Sequence, residues 1–218
     1  MDSSLYLQET SFIDISNPTL RDHTFKLVEG VSNPREQIKT IFFFVRDQIK
    51  YNPYTSFFHP EDYRASEILR RGEGFCIPKA ALFAAMMRIL EIPTKLYFAD
   101  IKNYKAPKKL TDMMGEIFIF HCYCGVWLDN QWLKLAPTFN HEMFTKIRVT
   151  ANDFDGFHDA ILPTVDLDGE NFIEYVKYRG EAYDIPFTEI MMTLNHCYDN
   201  SVIEKWAQIS STNQGEAS

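Results

Sequence analysis

No stretch of this 218-residue sequence approaches the roughly 18 consecutive apolar residues needed to cross a bilayer, and no basic-then-apolar leader opens it. Neither a membrane span nor a secretory signal is expected. Positive charge is also scarce: 22 Lys and Arg against 30 Asp and Glu leave a formal net charge of -8. The main basic run, Lys105, Lys108 and Lys109, suits a solvated loop rather than a phosphate-binding surface, so no nucleic-acid partner is expected. Cysteine is sparse. Cys76, Cys122, Cys124 and Cys197 lack the spacing of a disulfide scaffold, and free thiols in a cytoplasmic setting are the expectation. There is no phosphate-binding glycine loop, no dinucleotide fingerprint, no internal repeat and no long linker. No cofactor is called for.

What is present is 45% hydrophobic residues, enough for one sizeable core. Residues 1–209 read as a single α+β domain, with 210–218, small and polar, as a disordered tail. Asn17-Pro18 and Asn33-Pro34 each place a capping side chain before a proline at the first helical position. The first helix should run to about Gly30. The second carries Ile38, Ile41, Phe42, Val45 and Ile49 on one face and ends at Asn52-Pro53. The aromatic stretch 51–63 either lines a groove or packs over one. A short helix over 65–71 stops at Gly72, and an almost wholly apolar helix then starts at Cys76 and runs to about Leu90, which marks it as buried. Strands are expected over 94–99, 118–127, 132–135 and 147–150, the second and third joined by a turn at 128–131, with a last helix over 186–198.

Cys76 sits where a loop with two glycines turns into that buried helix. Helix N-terminal amides favour a thiolate, the reactive form, and Gly72 and Gly74 allow close backbone approach by a substrate. A free cysteine is equally a small buried hydrophobe. His121, early in the strand Phe120-His121-Cys122-Tyr123, completes a Cys-His arrangement in which an imidazole takes and returns the thiol proton. Cys122, Cys124, His196 and Cys197 fit no standard zinc spacing, and Asp166-x-Asp168-Gly169 lacks the glutamate of a calcium loop, so no metal is expected. Asp100 and Asn103 are open between lining the cleft and capping turns.

The pattern Gly72-x-Gly74-x-Cys76-x-x-Lys79-Ala80-x-Leu82-x-x-Ala85-x-x-Arg88-x-x-x-Ile92-Pro93, with His121, Trp127, Trp132 and Pro137-Thr138, resembles the transglutaminase-like superfamily. Phe44-Val45-Arg46-Asp47-x-Ile49-x-Tyr51 is similar to the family's helix before the nucleophile. The resemblance covers about residues 35–140. It implies a papain-like core in which N-terminal helices and a buried Cys-bearing helix pack on an antiparallel sheet. It also implies Cys76 as nucleophile and His121 as base, with Gly74, Phe75, Trp132 and Thr138 along the substrate cleft.

One departure stands out. Family members place an aspartate before the proline of the last motif, and here that residue is Ala136. The stretch Ala136-Pro137-Thr138-Phe139-Asn140, with Asp153-Phe154-Asp155-Gly156 and Glu174-Tyr175, resembles a bacterial subgroup whose members also lack that aspartate. Losing the group that orients the histidine costs tautomer control. Strand alternation puts Thr138 and Asn140 on the face of Ala136, so Asn140, or failing it Thr138, is expected to bond the outer nitrogen of His121. A helix-capping or turn role for Asn140 is the alternative.

The expected function is a cysteine-dependent amide-bond enzyme, namely a peptidase, deamidase or transglutaminase-type acyltransferase, acting on a peptide or protein through a Cys76 thioester. Arylamine acyl transfer from a CoA thioester ranks lower, because Arg71-Gly72-Glu73-Gly74-Phe75-Cys76 has one residue more than that sister motif. A catalytically impaired binding module on the same fold is the competing class.

Overall fold

The structure, a computed structural model, describes residues 4–198. Helix α1 (Pro18–Leu27) begins as its sequence dictates, with the Asn17 carboxamide accepting the Leu20 amide. Helix α2 (Pro34–Phe43) is capped in the same way by Asn33. The chain then widens into a π-helical turn over Phe44–Gln48 before the short strand β1 (Lys50–Tyr51). The apolar stripe expected to stay helical as far as Ile49 is therefore interrupted.

That turn frees backbone carbonyls, which need donors once buried. Lys79, buried in the core, points its ammonium at the Arg46 and Ile49 carbonyls, at 2.9 and 2.6 Å. The Asn140 amide donates to the same two oxygens, and its carbonyl accepts the Tyr51 amide at 2.6 Å. Arg46, 2% exposed, chelates Asp47, reaches Asp153 at 2.6 Å and lies over the rings of Phe42 and Phe43.

Helix α3 (Ala65–Arg71) ends at Gly72, whose φ of 69° is the left-handed stop that glycine permits. Strand β2 (Glu73–Gly74) pairs parallel with β1. Helix α4 (Cys76–Ile89) follows, buried from Ile77 to Ile89. It packs on a four-stranded antiparallel sheet formed by β3 (Thr94–Asn103), β4 (Ile117–Leu128), β5 (Gln131–Leu135) and β6 (Ile173–Ala182), in the order β5-β4-β3-β6. Leu96, Phe98, Cys122, Cys124 and Val126 share the cluster built on α4. Tyr97, Ala99, Ile101 and Tyr123 belong to a second cluster with Ala136, Phe139, Phe144 and Phe172. The β4–β5 turn sets Asp129 and Asn130 at φ 49° and 62°, the primed geometry that suits a two-residue hairpin.

The strand expected over 147–150 does not form. Helix α6 (His141–Lys146) occupies the preceding residues, Arg148 turns the chain at φ 58°, and the Val149 amide returns to the Phe144 carbonyl. Val149 is apolar because it plugs the second cluster as a loop residue. The fourth strand is instead β6, whose alternation is blurred because much of it is exposed. Helix α5 (Lys108–Met114) stands where the basic run read as a loop. Helix α7 (Phe187–Cys197) matches expectation, whereas the tail 210–218 lies outside the described residues.

Asn140→Ala should lower stability by about 1–3 kcal/mol, because the Tyr51 amide loses its acceptor in a partly buried place. Urea unfolding at unchanged m-value would measure it. An unshifted midpoint would mean water replaces the carboxamide without cost.

Candidate active site

The position of Cys76, the candidate nucleophile, follows from a strand-to-helix junction. Phe75 is extended, and Cys76 is the first residue of α4. A Cβ on Gly74 would meet the Pro78 Cβ at 3.2 Å, so glycine lets β2 run directly into the helix. Burial pushes the Cys76 thiol pKa up to about 11, although the backbone amide of Cys122 on β4 and those of Ile77 and Cys76 at the helix start pull it down. The thiolate expected from the helix terminus is therefore not the resting state. The resting state is the thiol.

His121 is aimed by an irregularity in β4. Ala99 pairs with His121 and Ile101 with Phe118, so Asp100 alone faces both Ile119 and Phe120. This is a bulge, a device that redirects a side chain. Phe120 adopts φ 56°, a costly conformation for an aromatic residue. Asp100 holds it: its carboxylate accepts the Phe120 amide at 3.2 Å and the guanidinium of Arg179, whose plane lies 4.5 Å from the Phe120 ring. Arg179 is itself the extra residue of a bulge in β6, opposite the Phe98–Ala99 step.

The His121 ring is 3% exposed, and burial pushes its pKa down to about 4, so it is neutral near pH 7. Its ring centroid lies 6.1 Å from those of Tyr123 and Tyr175. Nε2 is buried without a hydrogen-bond partner. His121 and Cys76 line the same cavity. A neutral thiol facing a neutral imidazole is the charge state from which a general base can act. The structure records no hydrogen bond joining the two side chains.

The cavity is apolar. Tyr51, Phe57, Tyr63 and Phe75 come from the segments before α4, while Leu110, Met114, Phe118, Ile190 and Leu194 close it from α5, β4 and α7. Asn103 is a polar side chain on its wall, and its carboxamide also accepts the Lys105 amide, so both roles left open for it are filled.

The expected site residues divide. Cys76, His121 and Phe75 meet in the cavity, with Gly74 just behind them. Asn140 does not bond His121, and this expectation is corrected: all three of its side-chain hydrogen bonds go to the main chain of Arg46, Ile49 and Tyr51. The carboxylate of Asp47, not Asn140, accepts the first amide of α6. Thr138 is buried away from the cavity wall. Trp132 lies elsewhere, edge-on to Tyr6 and beneath the Lys95 ammonium. Among the described residues, no group of three His, Cys, Asp or Glu converges as metal ligands. Sequence reasoning missed Arg179 and gave Tyr175 no role beyond its place in a matching Glu174-Tyr175 pair, because both belong to the unrecognised β6. The strain at Phe120 leaves no mark on composition.

A cysteine opening a buried helix and a histidine on the sheet against it define the architecture of the papain-like thiol enzymes. The family model of the transglutaminase-like superfamily matches residues 21–137, more than half of the chain, and the chain belongs to that superfamily. No curated protein matches the sequence. Among solved structures, a proposed cysteine protease from Cytophaga hutchinsonii is similar over 84% of this chain and 47% of its own, at 14% identity and a TM-score of 0.54. The chain thus spans about half the length of that structure, and the likeness is one of fold. The periplasmic domain of TgpA from Pseudomonas aeruginosa covers 63% of this chain and 48% of its own, at 16% identity and a TM-score of 0.45.

Protonation of His121 should be legible in stability. Its folded pKa, near 4, lies below the ordinary 6.5, so between these values the unfolded chain binds more protons than the folded one. Stability is fully present above pH 6.5 and is lost as pH falls towards 4, by about 3 kcal/mol from this group. Comparing wild type with His121→Gln over that window isolates the effect. Parallel pH curves would show that the imidazole is not held neutral.

Proposed function

We propose that this protein is a cysteine-dependent amide-bond enzyme acting on peptides or proteins. The observation that carries the reading is the meeting of Cys76, at the start of a buried helix, with His121, turned by a bulge, in one apolar cavity. In the reaction, the Cys76 sulfur adds to the amide carbonyl carbon while its proton passes to His121. Collapse breaks the carbon–nitrogen bond, His121 returns the proton to the departing amine, and a thioester remains. Water then gives hydrolysis, and a second amine gives acyl transfer. The amides that open α4 are the natural donors to the developing oxyanion.

The cavity walls support a substrate class. Aromatic and aliphatic side chains surround the thiol and, among the described residues, no charged side chain joins them, so a bulky apolar residue next to the scissile amide fits better than a charged one. Electrophilic peptides that alkylate cysteine should react at least tenfold faster with Phe or Leu at that position than with Asp or Lys, a ratio expected from burying one large side chain. Labelling with that preference, mapped by peptide so that the exposed Cys197 is set apart, should disappear in Cys76→Ala and drop strongly in His121→Ala. Iodoacetamide alkylation of Cys76 should climb with pH towards 11 rather than level off near neutrality, since the thiol is the resting form. Labelling that keeps the Phe and Leu preference in Cys76→Ala would overturn the reading.

A second reading, a binding module that has lost its chemistry, draws on the unpartnered His121 Nε2 and on the alanine at position 136. Alkylation of Cys76 that is indifferent to His121→Ala at every pH would favour it.

A further inference from the structure

Two buried polar atoms without a well-formed hydrogen bond belong to rings in contact near the candidate nucleophile. One is His121 Nε2, and the other is the hydroxyl oxygen of Tyr175, which the Leu162 backbone amide also approaches. Their rings meet edge to face, with centroids 6.1 Å apart and planes at 63°. The backbone brings them together: His121 pairs with Ala99 of β3, and Tyr175 pairs with Ile101, two residues further along the same strand. Residues two apart on a strand share a face.

The alternatives for Nε2 are largely taken. Ala136 has no acceptor on its side chain, and its carbonyl already receives the Thr138 amide at 2.8 Å and the Asn152 amide at 2.9 Å. Asn140 is engaged elsewhere. Asn152 Oδ1 is also buried and unpartnered, its Nδ2 being held by the Ala136 and Ala160 carbonyls, and it is the competing acceptor that the Asn152→Ala variant separates from Tyr175.

We propose that Tyr175 is the positioning residue for His121: its hydroxyl oxygen accepts the Nε2 proton, which leaves Nδ1 unprotonated and directed into the cavity with Cys76. The tyrosine then fills the role that an aspartate at position 136 fills in relatives. A phenol differs from a carboxylate in one respect. It fixes the tautomer without supplying negative charge, so it orients the base without strengthening it much. The buried orphan atoms also explain each other, since either alone would carry a desolvation cost.

The inference rests on His121 acting as the base for Cys76, and its test reads the imidazole directly. In protein labelled with nitrogen-15 at histidine, NMR should show neutral His121 as the Nε2–H tautomer with a slowly exchanging ring proton. In Tyr175→Phe, which keeps the ring and its packing, that proton should exchange about tenfold faster or more, and the tautomer should shift towards Nδ1–H. Cys76 alkylation at pH 8 should fall about three- to tenfold, the worth of one hydrogen bond. An Nδ1–H tautomer in wild type would overturn the proposal. So would an unchanged Nε2 proton in Tyr175→Phe, including a result in which Asn152→Ala releases it instead. If the tautomer depends on Tyr175 but Cys76 alkylation ignores His121→Ala, the amide-enzyme reading fails while the hydrogen bond stands.

Discussion

The Lys79 ammonium on the Arg46 and Ile49 carbonyls is the contact from which the site is assembled. Lys79 lies one helical turn after Cys76, so the helix that presents the thiol also carries the donor that anchors the segment before it. Without a donor, the π turn would bury free carbonyls, at a cost of several hydrogen bonds. With one, β1 is held beside β2, and Tyr51 reaches the cavity that Cys76 lines. Burial pushes the Lys79 pKa down to about 7, so the bond is made at considerable desolvation cost. Two charge-assisted acceptors are what make that burial tolerable. Asn140 donates to the same carbonyls and ties the loop after β5 into the arrangement.

The other half of the site depends on strain rather than anchoring. Phe120 at positive φ would relax towards ordinary strand geometry if nothing opposed it, and relaxation would turn His121 out of its present direction. Asp100 opposes it from β3 and Arg179 from β6, so three strands fix one backbone conformation. The ion pair is nearly buried, at 8% and 16% side-chain exposure, where breaking one partner costs far more than at a surface. Anchoring on the helix side and enforced strain on the sheet side place the two reactive groups independently.

This division also decides what the sequence could reveal. Asn17-Pro18, Asn33-Pro34 and Gly72 act locally, through caps and a left-handed stop, and the helices begin or end where those residues require. Cys76 was legible because glycines, an apolar helix and a lysine at fixed spacing all serve one junction. Asn140 was legible as a special residue but not in its role, because its partners lie about 90 residues away in a π turn that periodicity does not announce. Val149 was read as part of a strand because an apolar loop residue plugging a cluster carries the same hydropathy as one in a ladder. Strand β6 escaped for the opposite reason: its exposed face carries Glu174, Lys177 and Glu181, and two bulges break its period. Arg179 was lost with it, and Tyr175, matched only as part of Glu174-Tyr175, was left without a role beside His121.

Burial sets the resting charge of the site. The amides at the start of α4 favour a thiolate at Cys76, and the apolar walls favour a thiol; the walls prevail. The same walls, with no carboxylate at position 136, hold His121 neutral. A charged thiolate–imidazolium pair in this cavity would have to repay the desolvation of two ions by their mutual attraction alone. The neutral pair avoids that cost. In the proposed reaction the proton would move only as a carbonyl carbon accepts the sulfur's electrons, and the amides that fail to stabilise a resting thiolate would then face an oxyanion. The absence of the aspartate is thus consistent with a site that stays uncharged until an amide enters it.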